Sequence, residues 1–260
     1  LYISPRNITI TSPNGTAATM TSFSGLKLQN GTFTVNRIMW QGTNVKPSTD
    51  PTFDPSSSNS PAINCRVYSI NFTKAYRDAS GAELITNPTS IKLECPNGTA
   101  VSINAVSTVY LQNGTFGFQE IQYMGVNVVP GTQRAFDPTD GEPIVNCLIY
   151  DLKIIVKDPL GLVVSGAEIK TYHSVAGLLA SGQTNASGIW SGTQLPVGNY
   201  TVETWFLGLK TPTPPVNLSE NVAREVRIFL SYATLTIIIA AVVSLAGAIV
   251  ITRRRKVKSI

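Results

Sequence analysis

Catalytic chemistry is scarce in this chain. Among its 260 residues there is one histidine, His173, there are three cysteines, and only 13% of residues are charged. No HExxH, GxSxG, CxxC or glycine-rich phosphate loop occurs, which excludes the common zinc-protease, serine-hydrolase, dithiol and nucleotide sites at the level of motif. A single histidine in a strand-like run serves packing or faces solvent more often than it acts as a base. Apolar periodicity of the helical kind is absent before the C-terminus. A basic nucleic-acid-binding face is also missing. The formal net charge is +5, and five cations after Thr252, with no acid among them, account for all of it.

What the chain does have is repetition. The hexapeptide LQNGTF stands at Leu28–Phe33 and again at Leu111–Phe116. At the same offset of 83, PNGT at Pro13–Thr16 matches Pro96–Thr99, Trp40 matches Tyr123, and FDP at Phe53–Pro55 matches Phe136–Pro138. One residue is then lost, so Asn64-Cys65 matches Asn146-Cys147 and Tyr68 matches Tyr150 at offset 82. A match of this length in register marks a tandem duplication. Asn14-Gly15, Asn30-Gly31, Asn97-Gly98 and Asn113-Gly114 are tight-turn dipeptides, because both residues tolerate positive φ. Between them run short alternating segments such as Ile8-Thr9-Ile10 and Ile91-Lys92-Leu93, the pattern of half-buried strands. The expected fold is all-β: three tandem β-sandwich modules, the first two an internal repeat, followed by one C-terminal transmembrane helix. The expected boundaries are repeat one at 1–73, a linker at 74–83, repeat two at 84–151, a third sandwich at 152–231, the helix at 233–252 and a basic tail at 253–260.

The third unit has its own pattern. A first strand ends in Lys157-Asp158, Gly161 follows, and Ser165-Gly166-Ala167 enter the next strand. Thr184 and Ser187-Gly188 mark a turn, and LPVGNYTV runs from Leu195 to Val202. On these features residues 152–231 resemble the carboxypeptidase regulatory-like and Cna-B-like β-sandwich domains of surface proteins. The resemblance implies a seven-stranded sandwich used as a stalk or binding module. Some Cna-B-like domains carry an autocatalytic Lys–Asn isopeptide bond assisted by a Glu four residues after the Tyr of the GxY strand. Here that position is Thr204, and Glu203, one residue early, points to the opposite face of a strand. The crosslink is therefore not carried over, and Lys153 and Lys157 read as solvated strand lysines.

From Ala233 to Thr252 the chain holds no charge, and Arg253, Arg254, Arg255, Lys256 and Lys258 follow. Twenty residues at about 1.5 Å rise span the ~30 Å of a bilayer core, and cations against such a span mark its cytoplasmic side. A lipid-anchor tail would end apolar instead. The expected topology is a single-pass plasma-membrane protein with its N-terminus outside and its basic C-terminus in the cytoplasm. Only Ser231 and Tyr232 separate the last strand-like run from the span, so the third sandwich should rest almost on the bilayer.

Nine Asn-X-Ser/Thr sequons fit an exterior location: Asn7, Asn14, Asn30, Asn71, Asn97, Asn113, Asn185, Asn199 and Asn217. Chance would place roughly four among the asparagines, and the alternative use of Asn-Gly-Thr is turn chemistry alone. Cys65 and Cys147 are equivalent in the two repeats, whereas Cys95 stands where repeat one has Ser12. The repeat arithmetic favours a Cys95–Cys147 disulfide; Cys65–Cys95 and three free thiols remain open. Asp137, Asp140 and Glu142 could hold Ca²⁺, but repeat one keeps only Asp54 of that set, so an acidic turn is the better reading. No metal or other cofactor is expected. Trp40, Trp190 and Trp205 could stack on sugars, though sandwich cores use tryptophan more often.

The low charge, abundant Ser, Thr and Asn, and C-terminal anchor make the chain similar to archaeal cell-surface and S-layer-associated glycoproteins. That resemblance implies a non-enzymatic structural or interaction pillar of the cell envelope. Its expected partners are membrane lipid, an envelope or surface-layer protein or a membrane complex, and N-linked glycans, with no nucleic acid. An accessory subunit of a membrane enzyme or transporter, and a sugar-binding adhesin, are the alternatives.

Overall fold

The structure, a computed structural model, describes the whole chain except residues 1–4, 22–25, 58–59, 133–134 and 258–260, and omits the side chains of Ala233 and of 250–257. Two compact units divide it: residues 1–77, 81–123 and 129–147, and residues 78–80, 124–128 and 148–260.

In the first unit, β1 (Asn7–Thr11), β2 (Ala17–Met20), β3 (Phe33–Trp40), β4 (Thr43–Asn44) and β5 (Thr52–Phe53) form a sheet in the order β2-β1-β3-β4, with β5 also on β3. The β1–β2 hairpin closes at Asn14-Gly15, where Gly15 takes φ 84° and the Thr16 N–H donates to Asn14 Oδ1 at 3.1 Å. Alternation puts Ile10, Phe33, Val35 and Ile38 on one buried face.

The chain continues through β6 (Val67–Asn71), a 3₁₀ turn at Phe72–Lys74, β7 (Tyr76–Arg77), β8 (Ser90–Glu94), β9 (Ala100–Asn104), β10 (Thr108–Gln112), β11 (Phe116–Tyr123), β12 (Val126–Asn127), β13 (Ala135–Phe136) and β14 (Val145–Asn146). The bounds of β1, β3 and β5 recur in β8, β11 and β13 with the repeat offset. Even the irregularity recurs: Asn36 is the unpaired residue between β1 and β3, and its counterpart Gln119 is unpaired between β8 and β11.

The strands that close the second repeat come from outside its sequence boundary. β6, part of the first repeat by sequence, pairs antiparallel with β10 from Asn71↔Thr108 to Val67↔Gln112. β7, inside residues 74–83, pairs in parallel with β14, and Arg77 bridges to Glu83. Within the expected linker, Tyr76–Arg77 are therefore strand and Glu83 is bridged to it. In the first repeat, residues 26–29, which correspond to most of β10, form no strand.

In the second unit, β15 (Ile149–Lys157), β16 (Glu168–His173), β17 (Gly177–Gln183), β18 (Ile189–Pro196), β19 (Gly198–Phe206), β20 (Leu209–Pro212), β21 (Val216–Leu218) and β22 (Val222–Arg227) build two sheets, and α1 (Tyr232–Val257) follows. Their orders are β18-β15-β22 and β17-β16-β19-β20, with β21 on β19. This is the plan of the second repeat. β15–β18 corresponds to β6–β10, the parallel β15–β22 pair to β7–β14, and β17-β16-β19 to β9-β8-β11. Leu152, Ile154 and Val156 of β15 join Ile169, Tyr200, Val202 and Leu218 in one core. Each such buried side chain contributes about 1.5–3 kcal/mol.

The side chains of Ile237–Ile239, Val242, Val243, Leu245 and Ile249 on α1 are exposed. Among the described residues no helix is long and apolar enough to cross a membrane. The expected span, 233–252, reaches beyond the described side chains at both ends.

Candidate functional site

The three repeated motifs of the first unit converge. The Asp54 carboxylate of FDP accepts hydrogen bonds from the Ser56 hydroxyl at 2.7 Å, the Ser56 N–H at 2.9 Å and the Gly31 N–H of LQNGTF. Asp137 does the same with Thr139 and Gly114. These bonds hold both carboxyls below the ordinary aspartate value, chiefly through Ser56 for Asp54 and the Thr139 N–H for Asp137, against an opposing effect of burial. The phenylalanine preceding each aspartate stacks on the one that ends LQNGTF, Phe53 on Phe33 at 5.5 Å and Phe136 on Phe116 at 5.7 Å. Gly31 and Gly114 both adopt φ 116°, and a Cβ there would press on Pro13 or Pro96 of PNGT. Hence LQNGTF, PNGT and FDP recur together because they form one corner. Asp137, Asp140 and Glu142 border a recess of about 320 Å³ with Phe118, Phe136 and Pro143. Among the described residues no three His, Cys, Asp or Glu side chains come together as metal ligands.

Of the sequon asparagines, Asn14, Asn30, Asn97, Asn185, Asn199 and Asn217 are exposed, and Asn7, Asn71 and Asn113 are half-buried. At Asn14, Asn71, Asn97 and Asn185 the side-chain oxygen accepts the N–H two residues on, so the sequon is at the same time an Asx turn. The Asn97 amide nitrogen, the atom that glycosylation would modify, donates to the Gln41 carbonyl at 3.3 Å.

The expected Cys95–Cys147 bridge is absent: all three cysteines are free thiols. Cys95 follows the end of β8 that pairs with Gly117, while Cys147 lies beside Tyr123 at the other end of β11. The strand between them separates the two by roughly 17–20 Å, and a disulfide needs Cα atoms within about 7 Å. Burial pushes the Cys147 thiol up to about 12. The phenol of Tyr76 is also pushed up by burial, with Cys147 adding to it, and its hydroxyl donates to the Ala105 carbonyl at 2.9 Å.

His173 is buried, and both ring nitrogens bond to backbone groups. Its Nδ1 accepts the N–H groups of Val175 and Ala176, so Nε2 carries the proton and donates to the Val197 carbonyl at 3.1 Å. A Cβ on Gly198 would collide with this ring. Thr204 is fully buried and its hydroxyl has no partner. Glu203 pairs instead with Lys210 and the Trp205 indole. Lys153 is exposed, and Lys157 pairs with Glu225 at 2.5 Å. Trp190 is buried, Trp40 packs on the first core, and Trp205 is half-buried under the Lys210 ammonium.

One constellation escaped the sequence reading. Asp158, at the turn after β15, is fully buried. Its Oδ1 accepts the N–H groups of Leu160 and Leu162, both at 2.9 Å. Its Oδ2 accepts the hydroxyls of Ser231 at 2.7 Å and Thr234 at 2.9 Å. Ser231 is also the N-cap of α1, accepting the Thr234 N–H on its hydroxyl at 3.1 Å. A carboxylate thus sits at the positive end of the helix dipole and ties the sandwich to the helix. Burial pushes the Asp158 carboxyl up, but the bonds from Ser231, Leu162, Thr234 and Leu160 outweigh it, and the net shift is downward. The signal for this site was present in sequence. Arg77-Asp78-x-x-Gly81 occupies the turn that Lys157-Asp158-x-x-Gly161 occupies one module later, with glycine φ values of 89° and 82°.

Residues 151–231 match the carboxypeptidase regulatory-like domain. The matched stretch includes Asp158 and the helix cap Ser231. No curated protein matches the chain. Among solved structures the chain is similar to the Bacillus anthracis TIE protein, at 14% identity over 87% of this chain and 47% of that one, with a TM-score of 0.29. It is also similar to a streptococcal ancillary pilin, at 13% identity over 84% and 81% of the two chains and TM-score 0.30. BcpA, the major pilin subunit of Bacillus cereus, shares 11% identity over 87% and 95%, with TM-score 0.30. The chain spans about half the length of the first of these, and likeness at this level carries no argument about function.

Proposed function

We propose that this protein is a membrane-anchored extracellular glycoprotein with a structural or interaction role in the cell envelope, as a surface-layer or lattice anchor, and that it performs no catalysis. The observation that carries the reading is the junction at Asp158. A folded sandwich is hydrogen-bonded, without a spacer, to the first turn of a helix whose sequence continues uncharged to Thr252 and then turns strongly basic. Such a junction holds an ectodomain at a fixed height above lipid. The sequons supply the glycan positions, and the titratable groups are used in turns, caps and ion pairs.

Alkaline carbonate extraction of membranes from cells expressing the full chain, combined with protease digestion of intact cells, tests the anchor. The protein should stay in the membrane pellet, with residues before the helix accessible from outside; release by carbonate would overturn the reading. Mass spectrometry of what co-purifies after mild detergent tests the role. Abundant envelope protein supports a lattice anchor, whereas stoichiometric recovery with a transport or redox complex would replace it with an accessory subunit.

A further inference from the structure

We propose that the helix-proximal end of the third sandwich is a lipid-contacting collar, seated in the headgroup region of the bilayer. This rests on the membrane-anchored reading and adds to it the surface that meets the lipid.

Three segments share this end. β15 and β22 run parallel and finish here, with the Ile228 N–H donating to the Lys157 carbonyl at 2.9 Å. The turn after β15 is held to Ser231 and Thr234 through Asp158. β19 also ends here, because the Phe206 ring meets the Tyr232 ring edge-on at 5.2 Å. These segments carry six large apolar side chains facing outward: Leu160 at 58% exposure, Leu162 at 49%, Leu207 at 44%, Leu209 at 57%, Phe229 at 78% and Tyr232 at 63%. Soluble surfaces carry single exposed leucines without consequence, but six around the root of one helix form a patch that needs a cover.

Lipid is the occupant that the surroundings favour. α1 leaves from within the patch, and its large exposed side chains from Ile237 to Ile249 are all apolar, so the collar is continuous with the surface that faces acyl chains. Leucine and aromatic side chains with a tyrosine at the edge are what the interfacial zone accepts. The other end of the module differs: the turn after β16 exposes Val175, and the sequons Asn199 and Asn217 face each other where β21 pairs with the start of β19. Asn185 sets the depth limit. It lies in the loop whose Gly188 carbonyl accepts the Val156 N–H, close to the collar, so the headgroup level and no deeper is the position compatible with a sugar there.

The test uses the full chain in phosphatidylcholine–phosphatidylglycerol vesicles that contain lipid brominated near the headgroup. Leu209→Trp and Leu162→Trp place reporters on the collar, Val175→Trp places one at the far end, and the parent's own tryptophan signal is subtracted. Collar reporters should be quenched about threefold or more above the far-end reporter, as interfacial side chains are. If Leu209→Trp fails to fold, Leu162→Trp reads the same surface. Equal quenching in protein that floats with the vesicles and resists carbonate overturns the collar and leaves the anchor standing. Unquenched collar reporters in a chain that crosslinks to itself through this end also overturn it, by assigning the patch to a second copy. Protein that carbonate strips from the vesicles removes the anchor and the collar together.

Discussion

The first and second repeats share the bounds of their principal strands, the same bulge and the same corner of LQNGTF, PNGT and FDP, yet they do not bury the same residues. Cys147 is fully buried and its counterpart Cys65 only half so; Gln112 is buried and its counterpart Gln29 exposed. The difference lies in closure. The second sheet is covered by β6, Phe72, β7 and β14, all of them outside or at the edge of the duplicated motifs. Phe72 packs edge-on against Phe118 at 6.2 Å and Phe136 at 5.9 Å. In the first repeat Leu28, Ile63, Cys65 and Val67 pack on the core, but among the described residues no pair of strands closes over it. A duplicated sequence therefore specifies a sheet, and the strand that turns the sheet into a sandwich comes from the preceding segment.

Removing the cover should produce the largest effect. Phe72→Ala empties a fully buried site and should destabilise the second sandwich by about 3–5 kcal/mol. Phe53→Ala, at the half-buried stack of the first repeat, should cost about 1–2 kcal/mol. Native-state hydrogen exchange resolved by strand would show both, and equal costs would abolish the distinction between open and closed repeats.

Thiol labelling probes the same contrast without mutation. A maleimide at neutral pH should modify Cys65 and Cys95 readily, and Cys147 on the order of a hundredfold more slowly, because its thiol is buried and pushed up to about 12. Denaturant should equalise the three. Fast labelling of Cys147 in the native protein would mean that the second sandwich opens.

A third comparison pairs Asp78 with Asp158, which occupy equivalent turns. Asp158→Asn should cost about 1–3 kcal/mol, because the buried site loses a charged acceptor shared by Ser231 and Thr234. Asp78→Asn, at a half-buried turn, should cost under about 1 kcal/mol. The pH dependence follows from the downward shift at Asp158. Its contribution is complete above the unfolded aspartate value, near 4, and is lost as pH falls through the lower folded value. Exchange of the first α1 amides should therefore accelerate in acid in the parent and not in Asp158→Asn. An identical acid response in both would remove Asp158 from the junction.

The smallest effect concerns sugar. Asn30 is exposed and its counterpart Asn113 half-buried, so glycopeptide mass spectrometry should find higher occupancy at Asn30. Asn14 should likewise exceed Asn97, whose amide is committed to Gln41. Equal occupancy within each pair would show that sequence equivalence, not burial, governs modification.

Much of the architecture was legible. Turn dipeptides and alternation located the strands of both repeats, and the turns of the third unit pointed to the domain that residues 151–231 match. Pairing partners were harder. Nothing local in Val67–Asn71 shows that it belongs with Thr108–Gln112, because a strand's alternation names its buried face and not its neighbour. The Cys95–Cys147 expectation failed for the same reason: the repeat offset identifies equivalent positions but not their distance along a strand. The link between Asp54 and Gly31 was implicit in the joint recurrence of FDP and LQNGTF, although its chemistry appears only once the two segments meet. Asp158 was overlooked because its partners Ser231 and Thr234 lie more than seventy residues away.

The parallel ladder between β15 and β22 has a mechanical consequence. The chain enters the third module at the start of β15 and leaves for the helix from the end of β22, and six residue pairs from Leu152↔Val222 to Lys157↔Arg227 lie between. When the helix is held and the N-terminal part of the chain is pulled, the two strands are drawn in opposite directions along their length. The load then falls on the whole ladder at once, in shear, and its hydrogen bonds do not open one after another as in a peeled hairpin. Single-molecule pulling through the two ends should find this module the last to yield, with its rupture force concentrated at that one seam.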